Sequence, residues 1–194
     1  MQKKLQEVEF LLKIRDQSAG HPGHAHVLQL KDSFLHNGPH GQHLCIVTEP
    51  LLQNMRLFSM RFPRRIIPLR LVRSLARQIV LGVQYLHDEC NIIHTDLKPD
   101  NLLMVAPDGQ QFFNDHYAEI HNTPEVYATT DPAGNSITCV CSDPLYFPLP
   151  GSIAQDDDIW LKLQVKITDL GVGMQNNTRS GYGQLTSSLS MLGR

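Results

Sequence analysis

The run His94-Thr95-Asp96-Leu97-Lys98-Pro99-Asp100-Asn101 carries a carboxylate at 96, an amine at 98 and a carboxamide oxygen at 101. A second carboxylate, Asp169, stands at the head of Asp169-Leu170-Gly171. These are the parts that phosphoryl transfer needs: a carboxylate to orient an attacking hydroxyl, a cation over the moving phosphate, and hard oxygen ligands for magnesium. A plainer reading exists for each part. Asp, Pro and Asn also make ordinary polar turns, and an aspartate before glycine also ends ordinary strands.

Such groups work only if something rigid holds them. Ile92 and Ile93 precede the polar run and Leu102 and Leu103 follow it, so apolar anchors flank it on both sides. Upstream, LRLVRSLARQIVLGVQYLHDEC repeats apolar residues at 71, 72, 75, 79, 83 and 86 without proline, which predicts a long amphipathic helix. Pro63 and Pro68 bracket a basic connector before it. Residues 2–14 place Leu5, Val8, Leu11 and Leu12 on one helical face. VLQLKDSF at 27–34 and HLCIVTE at 43–49 read as two antiparallel strands around a loop of Asn37, Gly38, Pro39 and Gly41. Downstream, Leu161, Leu163, Val165 and Ile167 alternate with polar residues, predicting a strand that delivers Asp169. The predicted divisions are a partial domain over 1–104, an irregular insert over 105–159, the strand and turn over 160–174, and a flexible tail over 175–194.

Seventeen basic and nineteen acidic side chains give a formal charge of −2, which argues against a dominant electrostatic grip on nucleic acid or an anionic membrane. Neither is expected as a direct partner. With 41% hydrophobic and 19% charged residues, the 194-residue chain has the composition of an ordinary globular protein. Cys45, Cys90, Cys139 and Cys141 form no CxxC pair and read as reduced thiols. With no signal peptide or spanning segment visible, the expected location is intracellular, in cytoplasm or nucleus. The histidines from His21 to His43 lack a repeated ligand spacing, so a metal site there is not expected. The acidic run Asp156–Asp158 reads as a solvated loop.

The catalytic-loop sequence HTDLKPDN and the turn DLG resemble the H-R-D-x-x-x-x-N and D-F-G motifs of eukaryotic protein kinases. The phrase IIHTDLKPDN and the stretch HPGHAHVLQLKDSFLHNGPHGQHLCIVTEP further resemble the SR-protein kinase (SRPK) family, particularly its fungal members. The resemblance covers roughly residues 4–104 and 160–174. It implies a partial α+β kinase fold, ATP and Mg2+ as cofactors, and transfer to Ser/Thr hydroxyls of protein substrates, Arg/Ser-rich ones above all. By the same resemblance Asp96 is the catalytic base, Lys98 neutralises the transferred phosphate, and Asn101 and Asp169 hold magnesium. CIVTEPLL matches the hinge, which makes Thr48 the gatekeeper and assigns adenine recognition to the backbone of Glu49 and Leu51. Glu7 matches the helix glutamate that pairs with the ATP-binding lysine, and Leu11, Leu30, His94 and Leu170 match a hydrophobic spine.

Thr95 replaces the arginine that, in most kinases, binds a phosphorylated activation loop. Activity independent of that phosphorylation is therefore expected. The sequence also departs from the full pattern: it shows no G-x-G-x-x-G loop, no V-A-I-K lysine and no A-P-E element, and Lys3 and Lys4 read as solvated. A chain truncated at both ends is the expectation, with a catalytically inactive binding or regulatory module as the alternative function.

Overall fold

The computed structural model describes residues 2–17, 19–38, 41–106, 114, 125–130, 134–141 and 163–175. In chain order these form helix α1 (Gln2–Asp16), a 3₁₀ turn (Pro22–His26), strands β1 (Leu30–Gly38), β2 (Gly41–Thr48) and β3 (Leu51–Asn54), and helices α2 (Met55–Ser59) and α3 (Leu69–Asp88). Then come β4 (Ile92–Ile93), β5 (Leu102–Val105), β6 (Glu125–Thr130), β7 (Ser136–Cys141), β8 (Val165–Ile167) and β9 (Met174–Gln175). The mixed α+β character expected from the sequence is the one observed. No helix among the described residues is long and apolar enough to cross a membrane.

Helix α3 is the axis of the fold. Leu71, Leu75, Gly82, Tyr85 and Leu86 share its buried face, and they meet Phe10, Leu11 and Ile14 of α1, Val27 and Leu28, and Ile167 of β8 in one apolar cluster. The buried face of α1 is rotated from the stripe read in the sequence, because Phe10 packs on Gly173, where a Cβ would lie 3.0 Å from the ring. Gln6 fixes the same contact by donating to the Gly173 carbonyl at 3.1 Å. At the other end of α1, the Tyr85 hydroxyl donates to the carbonyl of Ile14 at 2.7 Å, and burial pushes its pKa far upward.

The 3₁₀ turn docks on α3 through two glycines. A Cβ on Gly23 would lie 1.9 Å from the Leu81 carbonyl oxygen, and one on Gly82 would lie 3.0 Å from the His26 carbonyl and 2.9 Å from Ile167. Backbone therefore touches backbone across this seam, and the edge of Tyr85 fills the flank beside the rings of His21 and His24. Gly23→Ala is expected to destabilise the fold by about 3 kcal/mol, since overpacking against a rigid carbonyl can be relieved only by moving the turn. Chemical denaturation reads this; an unchanged midpoint would show that the seam is loose.

Strands β1 and β2 form an antiparallel hairpin running from Leu30↔Thr48 to Gly38↔Gly41. A second sheet has the order β3-β5-β8, antiparallel throughout, and β4 pairs with β9. The stretch read as an irregular insert over 105–159 contains an ordered hairpin, β6 with β7, in register from Glu125↔Cys141 to Thr130↔Ser136. The signal was present: EVYATT and SITCVC are rich in β-branched residues and flank the turn-forming DPAGN. Of the stretch read as a tail, Gln175 belongs to β9. The remainder of that tail and the Asp156–Asp158 run lie outside the described residues, as do the side chains of Lys3 and Lys4.

Candidate active site

The polar run leaves β4 and returns into β5, held from below by His94. That buried ring lies 2.8 Å from the Thr168 carbonyl through Nε2, and its Nδ1 receives the Asp96 N–H at 3.3 Å. A carbonyl cannot donate, so the proton between them sits on Nε2 and the other nitrogen accepts. Thr95 next to it has φ of 64°, a conformation costing a β-branched residue about 1–3 kcal/mol unless its surroundings fix it. The fixing contact is its hydroxyl, which donates to the Val172 carbonyl at 2.7 Å.

This backbone twist aims Asp96 outward. Lys98 Nζ donates to Asp96 Oδ2 at 2.6 Å, and Asn101 Nδ2 donates to the Asp96 carbonyl at 3.0 Å and to Oδ2 at 3.2 Å. The hydrogen bond and charge of Lys98 hold the Asp96 carboxyl below its ordinary 3.8, and Asp96 raises Lys98 above its ordinary 10.5. Both stay charged between those values. Asp100 on the same turn is tied to α2 by Arg56 at 2.7 Å, and α2 itself starts with Asn54 accepting from the Leu57 N–H at 2.9 Å.

Asp169 reaches the same place through the backbone. Thr168 donates to the Asn101 carbonyl from both its N–H, at 2.9 Å, and its hydroxyl, at 3.1 Å, one step beyond the β5–β8 ladder. Asp169 then turns out with φ of 61° into an exposed position. Across Gly171 lies Glu7: a Cβ placed on that glycine would be 3.5 Å from Asp169 Oδ1 and 3.7 Å from Glu7 Oε2. The structure thus gathers Asp96, Lys98 and Asn101 in direct contact, with Asp169 joined to them through Thr168 and Glu7 facing the Asp169–Gly171 turn. Leu11, Leu30, His94 and Leu170 are all buried behind them.

Thr48, Glu49 and Leu51 lie where β2 passes into β3. The Thr48 hydroxyl donates to the Glu49 carbonyl at 3.1 Å, and Leu51 pairs with Val105. The Glu49 side chain has a role that sequence reading missed. It accepts Lys166 Nζ at 2.6 and 2.8 Å and the Gln29 N–H at 3.0 Å, linking the β2–β3 junction to the strand that carries Asp169. Burial, then Lys166, lowers the pKa of the neighbouring His24, and Glu49 partly offsets this. Gln78 of α3 was missed as well: its side-chain amide donates to the Leu163 carbonyl at 2.8 Å and accepts the Val165 N–H at 2.9 Å, clamping the start of β8.

The family described as Protein kinase domain matches residues 2–115. The chain belongs to the protein kinase family. Its kinase relatives include Protein kinase dsk1 of Schizosaccharomyces pombe, 41% identical over 100 residues, which are 52% of this chain and 18% of the relative. Serine/threonine-protein kinase SRPK of Physarum polycephalum is 50% identical over 78 residues, 40% of this chain and 18% of the relative. Serine/threonine-protein kinase SKY1 of Saccharomyces cerevisiae is 43% identical over 86 residues, 44% of this chain and 12% of the relative. The chain therefore spans less than a fifth of the length of these SRPK-type kinases. A crystal structure of a kinase domain superposes with a TM-score of 0.52 at 15% identity, covering 91% of this chain and 40% of that one, which supports the kinase fold alone.

Proposed function

We propose that this chain carries the catalytic-loop and metal-turn portion of an SRPK-type serine/threonine protein kinase, which moves the γ-phosphate of ATP to protein hydroxyls. Arg/Ser-rich proteins are the substrate class that the SRPK resemblance implies, and cytoplasm or nucleus is the compartment assigned with it. The observation that carries this reading is the hydrogen-bonded set Asp96–Lys98–Asn101, coupled through the Asn101 carbonyl to the residue before Asp169.

In this mechanism Asp96 accepts a hydrogen bond from the substrate hydroxyl and takes its proton as the new O–P bond forms and the bond to the ADP oxygen breaks. Lys98 then turns from Asp96 to the oxygens of the moving phosphoryl group. The donor set fits magnesium: Asn101 commits its amide nitrogen to Asp96, which leaves its oxygen for a cation, and Asp169 offers an exposed carboxylate. Asn101 and Asp169 would hold magnesium, which would supply charge neutralisation to the phosphates. Thr48 and the backbone of Glu49 and Leu51 border the adenine position, and Glu7 is assigned to pairing with an ATP-anchoring lysine.

The test is the thermal shift of the purified chain with Mg·ATP, beside Asp169→Ala. A magnesium-dependent rise of several degrees in Tm that the variant loses is expected. A cooperative melt with no shift would remove the nucleotide site and leave a kinase-derived binding module. Thr95 yields a separate expectation. Its hydroxyl already holds the Val172 carbonyl and it has no charge to be neutralised, so phosphatase-treated protein is expected to keep its phosphotransfer rate on an Arg/Ser peptide within about twofold. A rate that returns only after prior phosphorylation would contradict this.

A further inference from the structure

The near-zero net charge conceals a strong segregation. Residues 50–87 contain seven arginines, at 56, 61, 64, 65, 70, 73 and 77, and no lysine, aspartate or glutamate. The rest of the chain holds ten basic against nineteen acidic residues, a charge of −9. All seven arginines are exposed. Arg56 pairs with Asp100; Arg61, Arg64 and Arg65 lie in the connector, and Arg70, Arg73 and Arg77 lie on α3.

Aliphatic side chains are set among them. Met60, Ile66, Leu69, Val72 and Val80 are exposed in the same stretch. On α3, Leu69, Arg73, Arg77 and Val80 follow one another at helical spacings of four, four and three, so arginine and aliphatic groups share one stripe opposite the buried face. The aromatic rings of the stretch face inward: Phe58 and Phe62 are buried against each other at 5.3 Å, and Tyr85 is buried.

We infer that this arginine–aliphatic face of α3, with the connector before it, docks an acidic amphipathic helix of another protein. Guanidinium groups without any ammonium favour forked hydrogen bonding to carboxylates. The exposed Leu69 and Val80 call for apolar side chains between those carboxylates, as in helix-in-groove recognition. Single-stranded nucleic acid fits less well, because it needs exposed aromatic platforms for its bases, and the rings of this stretch are buried.

The experiment is fluorescence anisotropy of the full chain, without nucleotide, against three probes. They are a labelled helical peptide with glutamates flanking leucines at three- and four-residue spacing, the same composition scrambled, and a single-stranded RNA of similar charge. Saturable binding of the patterned peptide is expected. It should weaken about tenfold or more in Arg73→Glu/Arg77→Glu and in Leu69→Ser/Val80→Ser, and weaken with added salt in the wild type. Arg15→Glu on α1 serves as the charge control, and circular dichroism confirms that each variant folds. Equal binding of the scrambled peptide, tighter binding of the RNA, or no binding would each overturn the inference. Self-association that the same substitutions abolish, without peptide binding, would reassign the face to a second copy of this chain.

Discussion

Asp96→Asn is expected to lower the phosphotransfer rate on an Arg/Ser peptide by about two to four orders of magnitude while leaving the Mg·ATP thermal shift intact. The substitution removes the proposed proton acceptor and sets an amide N–H₂ or a neutral oxygen against Lys98, which now donates to Asp96 Oδ2 at 2.6 Å. It leaves Asn101 and Asp169 in place, so binding and chemistry separate in this variant, whereas Asp169→Ala loses both. The pair also sets a pH expectation. Lys98 depresses the Asp96 carboxyl, so any stabilisation from their contact is fully present above about 3.8 and is lost as pH falls through the lower folded value. At the alkaline end, Asp96 raises Lys98, so the contact is lost only as pH rises beyond 10.5 through the higher folded value. No ionisation of this pair falls near neutrality. A rate profile that bends there would have to come from another group, and an Asp96→Asn variant with wild-type turnover would dismiss Asp96 as the base.

Lys166→Met is expected to destabilise the fold by about 1.5–3 kcal/mol, the consequence of removing charged hydrogen bonds from a carboxylate that is itself partly buried. Lys166 is 7% exposed, and among the described residues it is the cation bonded to Glu49, which also accepts the Gln29 N–H. Against a total stability of about 5–15 kcal/mol for a typical domain, that loss is large. The double variant Glu49→Gln/Lys166→Met is expected to recover most of it, because glutamine keeps an acceptor for Gln29 and carries no charge to strand. Urea melts of the wild type, the two single variants and the double variant close the cycle. Equal losses in Lys166→Met and the double variant would mean that the lysine acts through packing alone.

The two cases show what could be read without coordinates. The Asp96–Lys98–Asn101 cluster was legible because its members lie within eight residues between apolar anchors, and the long helix because its apolar period is unbroken over 69–87. Asp169 was legible because a strand period leads straight into it. The Glu49–Lys166 pair was not, since its partners are 117 residues apart and an alternating strand places Lys166 on the side that normally meets water. Both faces of β8 are in fact buried, with the Val27 bridge closing its outer edge. The Gly23 and Gly82 seam was illegible for a related reason: a glycine in a loop and one in a helix show their purpose only when a carbonyl comes to rest against each. The β6–β7 hairpin was missed through the opposite error, in which abundant turn residues outweighed two β-branched runs. Arginine segregation was visible all along, but a whole-chain charge sum erased it.

The ladder between β5 and β8 has one more consequence. Met104 pairs with Val165 and the Val105 N–H reaches the Gln164 carbonyl at 3.0 Å, so the two ends of the intervening segment lie side by side. An excursion whose ends are already joined grows at little thermodynamic penalty, about 0.6 kcal/mol for each doubling of its length. Length changes confined to the stretch between Ala106 and Leu163, both buried in the core, are accordingly expected to leave Asp96 unshifted relative to Asp169. The site depends on a backbone weld at the neck of this segment, so its geometry is expected to be insensitive to the segment's length.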